Sequence, residues 1–290
     1  MDIRNVQKTG DMFYLYLPTR WCKKYNINGK SKVGVQANKD GSLGVHPQLT
    51  KRKPATLNIK ASSDNIDSLQ KLTVACYISP ADSFKISLDK ELDFTTILHQ
   101  KNMVSLELVE IDGNHISCES SLKVNDPASL LLTMIRKVRN LLLVMQKKAP
   151  RELIERYESE IDRSKLLIDK AVLGAFVNPA ESNNTTVELH FLSLISKSLE
   201  SMVDHIIALK VPPERFLKSI MAVLGQLQEL LKDASKQLTT HNAMAFVEAV
   251  SVMQGIKVQN VASYDKRRTV RALNSIAEVI LDWAVVKEVS

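Results

Sequence analysis

Glu200 and Asp204 stand four residues apart in the run Leu199-Glu200-Ser201-Met202-Val203-Asp204-His205. Residues at that spacing share one face of a helix, so the two carboxylates can converge on one cation if a neighbouring helix adds further acids. The segment Tyr157-Glu158-Ser159-Glu160-Ile161-Asp162, on the preceding helical stretch, offers Glu158, Glu160 and Asp162 for that role. Carboxylate ligands suit iron, manganese, zinc or magnesium. The plain alternative is a solvated helix face, with Lys197 within reach of Glu200.

A second chemistry lies at the start of the chain. Residues 1–60 hold 12 Lys and Arg against 3 Asp and no Glu, about +9, while the whole chain carries +7. The remainder is therefore slightly acidic. A basic block on such a chain points to a polyanion, with double-stranded DNA the first expectation. Arg4, Lys8, Arg20, Lys23 and Lys24 are the candidate contacts. The alternative is that this segment only pairs subunits and its lysines are solvated.

Other chemistries find no support. There is no Gly-rich phosphate loop and no nucleophile with a base at motif spacing, so the chain reads as non-enzymatic. Cys22, Cys76 and Cys118 are odd in number and widely spaced, against a disulfide framework or a CxxC metal site. They read as small buried apolar residues. No apolar run reaches the roughly 18 residues of a membrane span, and the start is unlike a signal peptide. The expected location is the cytoplasm, without membrane insertion.

The elements that must position these residues follow from pattern. Val6–Lys8 and Phe13–Leu17 read as strands around Thr9-Gly10-Asp11, and Pro18 stops the second. Thr19 is placed to cap a short helix, 20–25, before strands at 33–37 and 43–45 around Asp40-Gly41. The ordered set Arg-x-Val-x-Lys-x-Gly, Leu-Pro followed by Trp21, and Asn-Ile-x-x-Gly resembles the AbrB (SpoVT-AbrB, MazE-like) swapped-hairpin family over about 45 residues. That resemblance implies a module at 1–50 that interlocks two copies into one barrel, an obligate homodimer, and presents Arg4, Lys8, Arg20, Lys23 and Lys24 to DNA. Asp11 departs from members that have a basic residue after the turn glycine.

After a basic linker at 50–54, residues 55–122 read as a small α/β domain. It holds a strand at 57–60, a helix capped by Ser63-Asp64, a strand at 84–88, a helical stretch at 94–101, and strands 105–111 and 115–119 joined by Asp112-Gly113-Asn114. It reads as a spacer or dimer contact. From Asp126-Pro127 the pattern changes to long amphipathic helices: to 148, 150–174, 184–209, 215–238, 241–258 with Thr240 as cap, and from 265 onward. The fold class is α+β multidomain, ending in a bundle at 126–290 with three-helix repeats at about 126–211 and 213–290.

The two repeats align: Leu199–His205 matches Leu273-Asn274-Ser275-Ile276-Ala277-Glu278-Val279 at an offset of 74 residues. With this duplication the second half resembles the PhoU family of phosphate-uptake regulators, built from two three-helix repeats. That family carries Glu/Asp-x-x-x-Asp in each repeat, which in some members holds a metal cluster. Glu200, Asp204 and the following His205 match it, and 157–162 resembles the acidic segment facing it. The second repeat has Asn274 and Glu278 instead, with only Glu248 on its facing helix. Both modules together resemble archaeal regulators in which AbrB-like and PhoU-like parts are fused. The resemblance implies a homodimeric DNA-binding regulator of phosphate uptake. The alternative is an adaptor that inhibits a phosphate transporter ATPase or a signalling kinase by contact.

Overall fold

The computed structural model describes residues 3–37, 41–47, 55–62, 65–91, 109–119, 126–179, 182–209 and 212–289. They belong to two compact units, Met1–Lys53 and Pro54–Ser290. In the first, β1 (Gln7–Thr9) and β2 (Met12–Tyr14) form a hairpin whose register sets Thr9 opposite Met12. Gly10 in the loop has φ +61°, a left-handed value that favours glycine. The second strand is shorter than the expected 13–17, because its partner supplies only Gln7–Thr9 for pairing. α1 (Thr19–Lys24) starts one residue early: Pro18, not Thr19, occupies the N-cap, and no side chain caps it. Pro18 contributes its fixed φ of -60° to the helix entry instead. β3 (Gly34–Ala37) and β4 (Leu43–His46) then pair antiparallel, Val35 opposite Val45.

Among the described residues of this unit none is buried. Phe13 is 69% exposed and Val35 64%. About 45 residues cannot remove enough apolar surface from water in one copy, which is the physical reason this module was expected to need a partner.

The second unit begins with β5 (Thr56–Ala61), α2 (Ile66–Ile78) and β6 (Ser83–Leu88), a parallel βαβ crossover. β7 (Glu110–Asp112) and β8 (His115–Cys118) add an antiparallel hairpin turning at Gly113, φ +53°, giving the order β5-β6-β8-β7. Asn65 caps α2, its side chain accepting from the Ser68 amide at 3.1 Å. The expected Ser63-Asp64 cap, the helical stretch 94–101 and most of the strand 105–111 lie outside the described residues. Leu69, Tyr77, Phe84, Ile86 and Ile116 form the core between sheet and helix, with Cys76 and Cys118 buried in it as small apolar residues. Cys22 is only half-buried.

The helices follow: α3 (Pro127–Gln146), α4 (Arg151–Val177), α5 (Thr186–Ala208), α6 (Glu214–Lys232), the short α7 (Ala234–Gln237), α8 (Thr240–Ser251) and α9 (Val261–Val289). Asp126 caps α3 with Pro127 at its first position, as expected. α5 opens on a capping box between Thr185 and Glu188. Thr239, not Thr240, caps α8, accepting from the Asn242 amide at 3.2 Å. α9 starts at 261 rather than 265, because the Asn260 side chain accepts from the Ser263 amide at 2.8 Å while the Ser263 hydroxyl accepts back from the Asn260 amide. The fourth expected helix breaks at Asp233, and Lys287 Nζ donates to the carbonyls of Ala234, Ser235 and Leu238 just beyond.

Within each half the helices pack on one another, α3, α4 and α5 in one and α8 against α6 and α9 in the other. Between halves the pairing is like with like: α5 packs along α9, and α3 along α6. Burial repeats at the 74-residue offset: Leu199, Met202, Val203 and Ile206 are buried, as are Leu273, Ile276, Ala277 and Ile280. The region expected as a separate 55–122 domain keeps its own core yet joins the helices in one compact unit, α2 packing on α4. There Lys170 of α4 is buried, its ammonium 4.8 Å from the Tyr77 ring centre and donating to the Tyr77 carbonyl in the last turn of α2. Burial pushes the Lys170 pKa down, opposed by Cys118 and Asp82. No described helix is long and apolar enough to cross a membrane.

Candidate functional site

The buried faces of α4 and α5 set the site. Ile161, Ile168 and Val172 of α4, with Leu199, Met202 and Val203 of α5, lie in the main helical core and fix the two helices against each other. Asp162 follows Ile161 on α4, and Glu200 and Asp204 flank the buried Met202 and Val203 on α5. The three carboxylates each bring an oxygen within 4.8 Å of the others. Asp162 and Glu200 are half-buried, and Asp204 is open to solvent.

Electrostatics mark the same place. Burial pushes the Glu200 carboxyl up, and Asp204 and then Asp169 add to the rise, while Lys165 and Lys197 oppose it. Asp204 is also raised, burial again first and His205 opposing, although the residue as a whole is exposed. Among the described residues Lys197 forms no ion pair with Glu200, and Lys165 is held by Asp169 at 2.8 Å. Like charges therefore converge, and burial and mutual repulsion outweigh the two lysines at Glu200. A divalent ion with oxygen ligands fits that donor set, with water completing its shell.

Of the residues expected from α4, the structure brings in only Asp162. Glu160 faces the other way and pairs with Lys137 of α3 at 3.6 Å and with Arg156 at 3.7 Å. Glu158 is not among the converging carboxylates either. Helical geometry explains Glu160, since it lies two residues from 162 and projects from a different face; Glu158 shares the face of Asp162 but sits one turn further along α4. Asp169, overlooked in the sequence, is two turns beyond Asp162 and acts on Glu200. Its spacing of seven residues was the signal available.

His205 also has partners from elsewhere in the chain. Its Nδ1 lies 3.1 Å from Oδ1 of the buried Asp265 on α9, and Arg268 Nε donates to its Nε2 at 3.3 Å. Arg268 thus requires Nε2 as the acceptor, which leaves Nδ1 to donate to Asp265. Tyr264 packs edge-on, with ring centres 6.3 Å apart. The third helices of the two repeats are tied together beside Asp204.

The second repeat is arranged differently at the matching positions. Asn274 Nδ2 donates to Glu278 Oε1 at 2.7 Å, and Gln254 Nε2 donates to Asn274 Oδ1 at 2.8 Å. An amide occupies the place of a converging acid. Glu248 is exposed on α8 and joins no carboxylate group among the described residues.

In the first unit Arg4, Lys8, Arg20, Lys23 and Lys24 are all exposed. Lys8, directly across from Phe13, lies 5.6 Å from its ring centre, and Lys24 lies 5.4 Å from that of Tyr25. Basic residues Lys23 and Lys24 end α1, where they complement its C-terminal carbonyls. No protein-family model, curated protein or solved structure matches this chain.

Proposed function

We propose that the protein is a homodimeric DNA-binding regulator of phosphate uptake, whose helical unit carries a divalent-cation site at Asp162, Glu200 and Asp204. One observation carries the DNA part. The first unit concentrates exposed cations at Arg4, Lys8, Arg20, Lys23 and Lys24 on a small module in which no described residue is buried. A second copy would cover the apolar side chains and double the cationic surface, giving a two-fold reader for a duplex. The link to phosphate rests on the resemblance of the helical repeats to phosphate-uptake regulators, and the converging carboxylates support a cation there.

The test is chromosomal mapping of the protein's binding positions with and without phosphate limitation. Enrichment upstream of transport operons that changes with phosphate is the expected result. Association with a transporter ATPase or a signalling kinase, with no chromosomal enrichment above background, would replace this reading by that of an adaptor.

A further inference from the structure

We infer that the N-terminal half of α9 is a second phosphate-backbone contact, carried by Lys266, Arg267 and Arg271; this rests on the reading that the protein binds duplex DNA. The unit Pro54–Ser290 holds 28 Lys and Arg against 29 Asp and Glu, so it has no general excess of positive charge. Between Ala249 and Ala277, however, Lys257, Lys266, Arg267, Arg268 and Arg271 face a single acid, Asp265. That acid is buried and engaged with His205.

Several helix cations elsewhere in this unit are matched by acids one turn away: Arg151 with Glu155, Arg156 with Glu160, Lys165 with Asp169, and Lys218 with Glu214. On α9 no such acid is supplied. Lys266, Arg267 and Arg271 make no side-chain hydrogen bond or ion pair among the described residues, whereas Arg268 turns inward to His205. Arg267 and Arg271 are exposed, and at i, i+4 they sit as like charges on one face. The isolated protein thus holds an unrelieved positive stripe that an anionic partner would neutralise. Two guanidinium forks one turn apart suit neighbouring phosphates of one strand, because each fork can take two oxygens of a phosphate.

The experiment is a salt titration of binding to a random-sequence duplex by the full chain. It compares the parent, Arg267→Gln/Arg271→Gln, Arg267→Lys/Arg271→Lys, and Arg4→Gln/Lys8→Gln/Arg20→Gln. Each phosphate contact contributes about 0.9 to the slope of log affinity against log salt. The Gln pair should lower that slope by about 2 per protomer engaged, about 4 for a dimer with both stripes on the duplex, and weaken binding at low salt, while the Lys pair should keep most of it. An unchanged slope in the Gln pair, with binding still lost in the N-terminal variant, would overturn the α9 contact and leave the DNA reading standing. A parent that binds no duplex at any salt would remove both. If polyglutamate rather than duplex is bound, and the Gln pair loses it, the stripe serves an acidic protein and the nucleic-acid assignment fails.

Discussion

Asn274 hands an amide proton to Glu278 across one helical turn, at 2.7 Å, in the position where the first repeat sets Glu200 beside Asp204. One repeat satisfies its carboxylate internally, and the other leaves carboxylates facing each other. The two halves of the helical region, alike in burial at these positions, therefore differ in electrostatics at matching places.

The first prediction concerns pH and metal. In the folded protein Glu200 and Asp204 titrate above their ordinary carboxylate values. As pH rises past the unfolded values, the unfolded chain releases these protons while the folded one still holds them. Stability without metal should fall with rising pH until the raised values are passed. The Glu200→Gln/Asp204→Asn variant should lack that fall and, in chelator near neutral pH, melt on the order of 2 °C higher than the parent. Manganese should raise the melting temperature of the parent alone. Thermal melts across pH, with and without metal, check both; indifference of the parent to manganese, iron, zinc and magnesium would leave the three acids as a solvated face.

Asn274→Asp is expected to destabilise the protein. Glu278 would lose its donor and gain a like charge one turn away, a change on the order of 1 kcal/mol. Denaturant unfolding measures it, and a neutral result would mean that the amide contact contributes nothing. Elemental analysis of the parent should show no more than one occupied site per chain, since among the described residues acids converge only at Asp162, Glu200 and Asp204.

Lys170→Met should cost roughly 1–3 kcal/mol, because it keeps the apolar stem but leaves the Tyr77 carbonyl without its donor. Lys170→Ala should cost more, since it also opens a cavity. Denaturant melts of both variants rank them, and equal stability to the parent would show that α2 and α4 hold together without this bond.

For the first unit, sedimentation of the full chain should show a dimer at micromolar concentration. Val35→Glu, which places charge on the apolar side of the second hairpin, should convert it to monomer with the helical unit still folded. A dimer that survives the change would put the subunit contact elsewhere.

Much of this arrangement was legible beforehand, and the failures share a physical cause. Helix existence followed from apolar periodicity, and the 74-residue match of Leu199–His205 with Leu273–Val279 foreshadowed a burial pattern that repeats position by position. Cap residues were misplaced by one at Thr19 and Thr240, where adjacent residues, Pro18 and Thr239, compete for the same role. At the site, the sequence offered Glu158, Glu160 and Asp162 as candidates, whereas helical rotation turns Glu160 away and Glu158, on the same face as Asp162, lies a full turn further along α4. Asp265 and Arg268 lie 60 and 63 residues from His205, so nothing local could connect them.

One consequence concerns α4. Asp162 and Asp169 lie toward the carboxylates of α5, while Leu166 and Lys170 reach the sheet and the end of α2. The same two turns of backbone thus carry the converging acids and the contact with the small α/β layer. A helix resists bending over so short a span, so any displacement of α4 drawn by a cation at the acids would reach the α/β layer as a rigid translation, and that layer would register the occupancy of the acids.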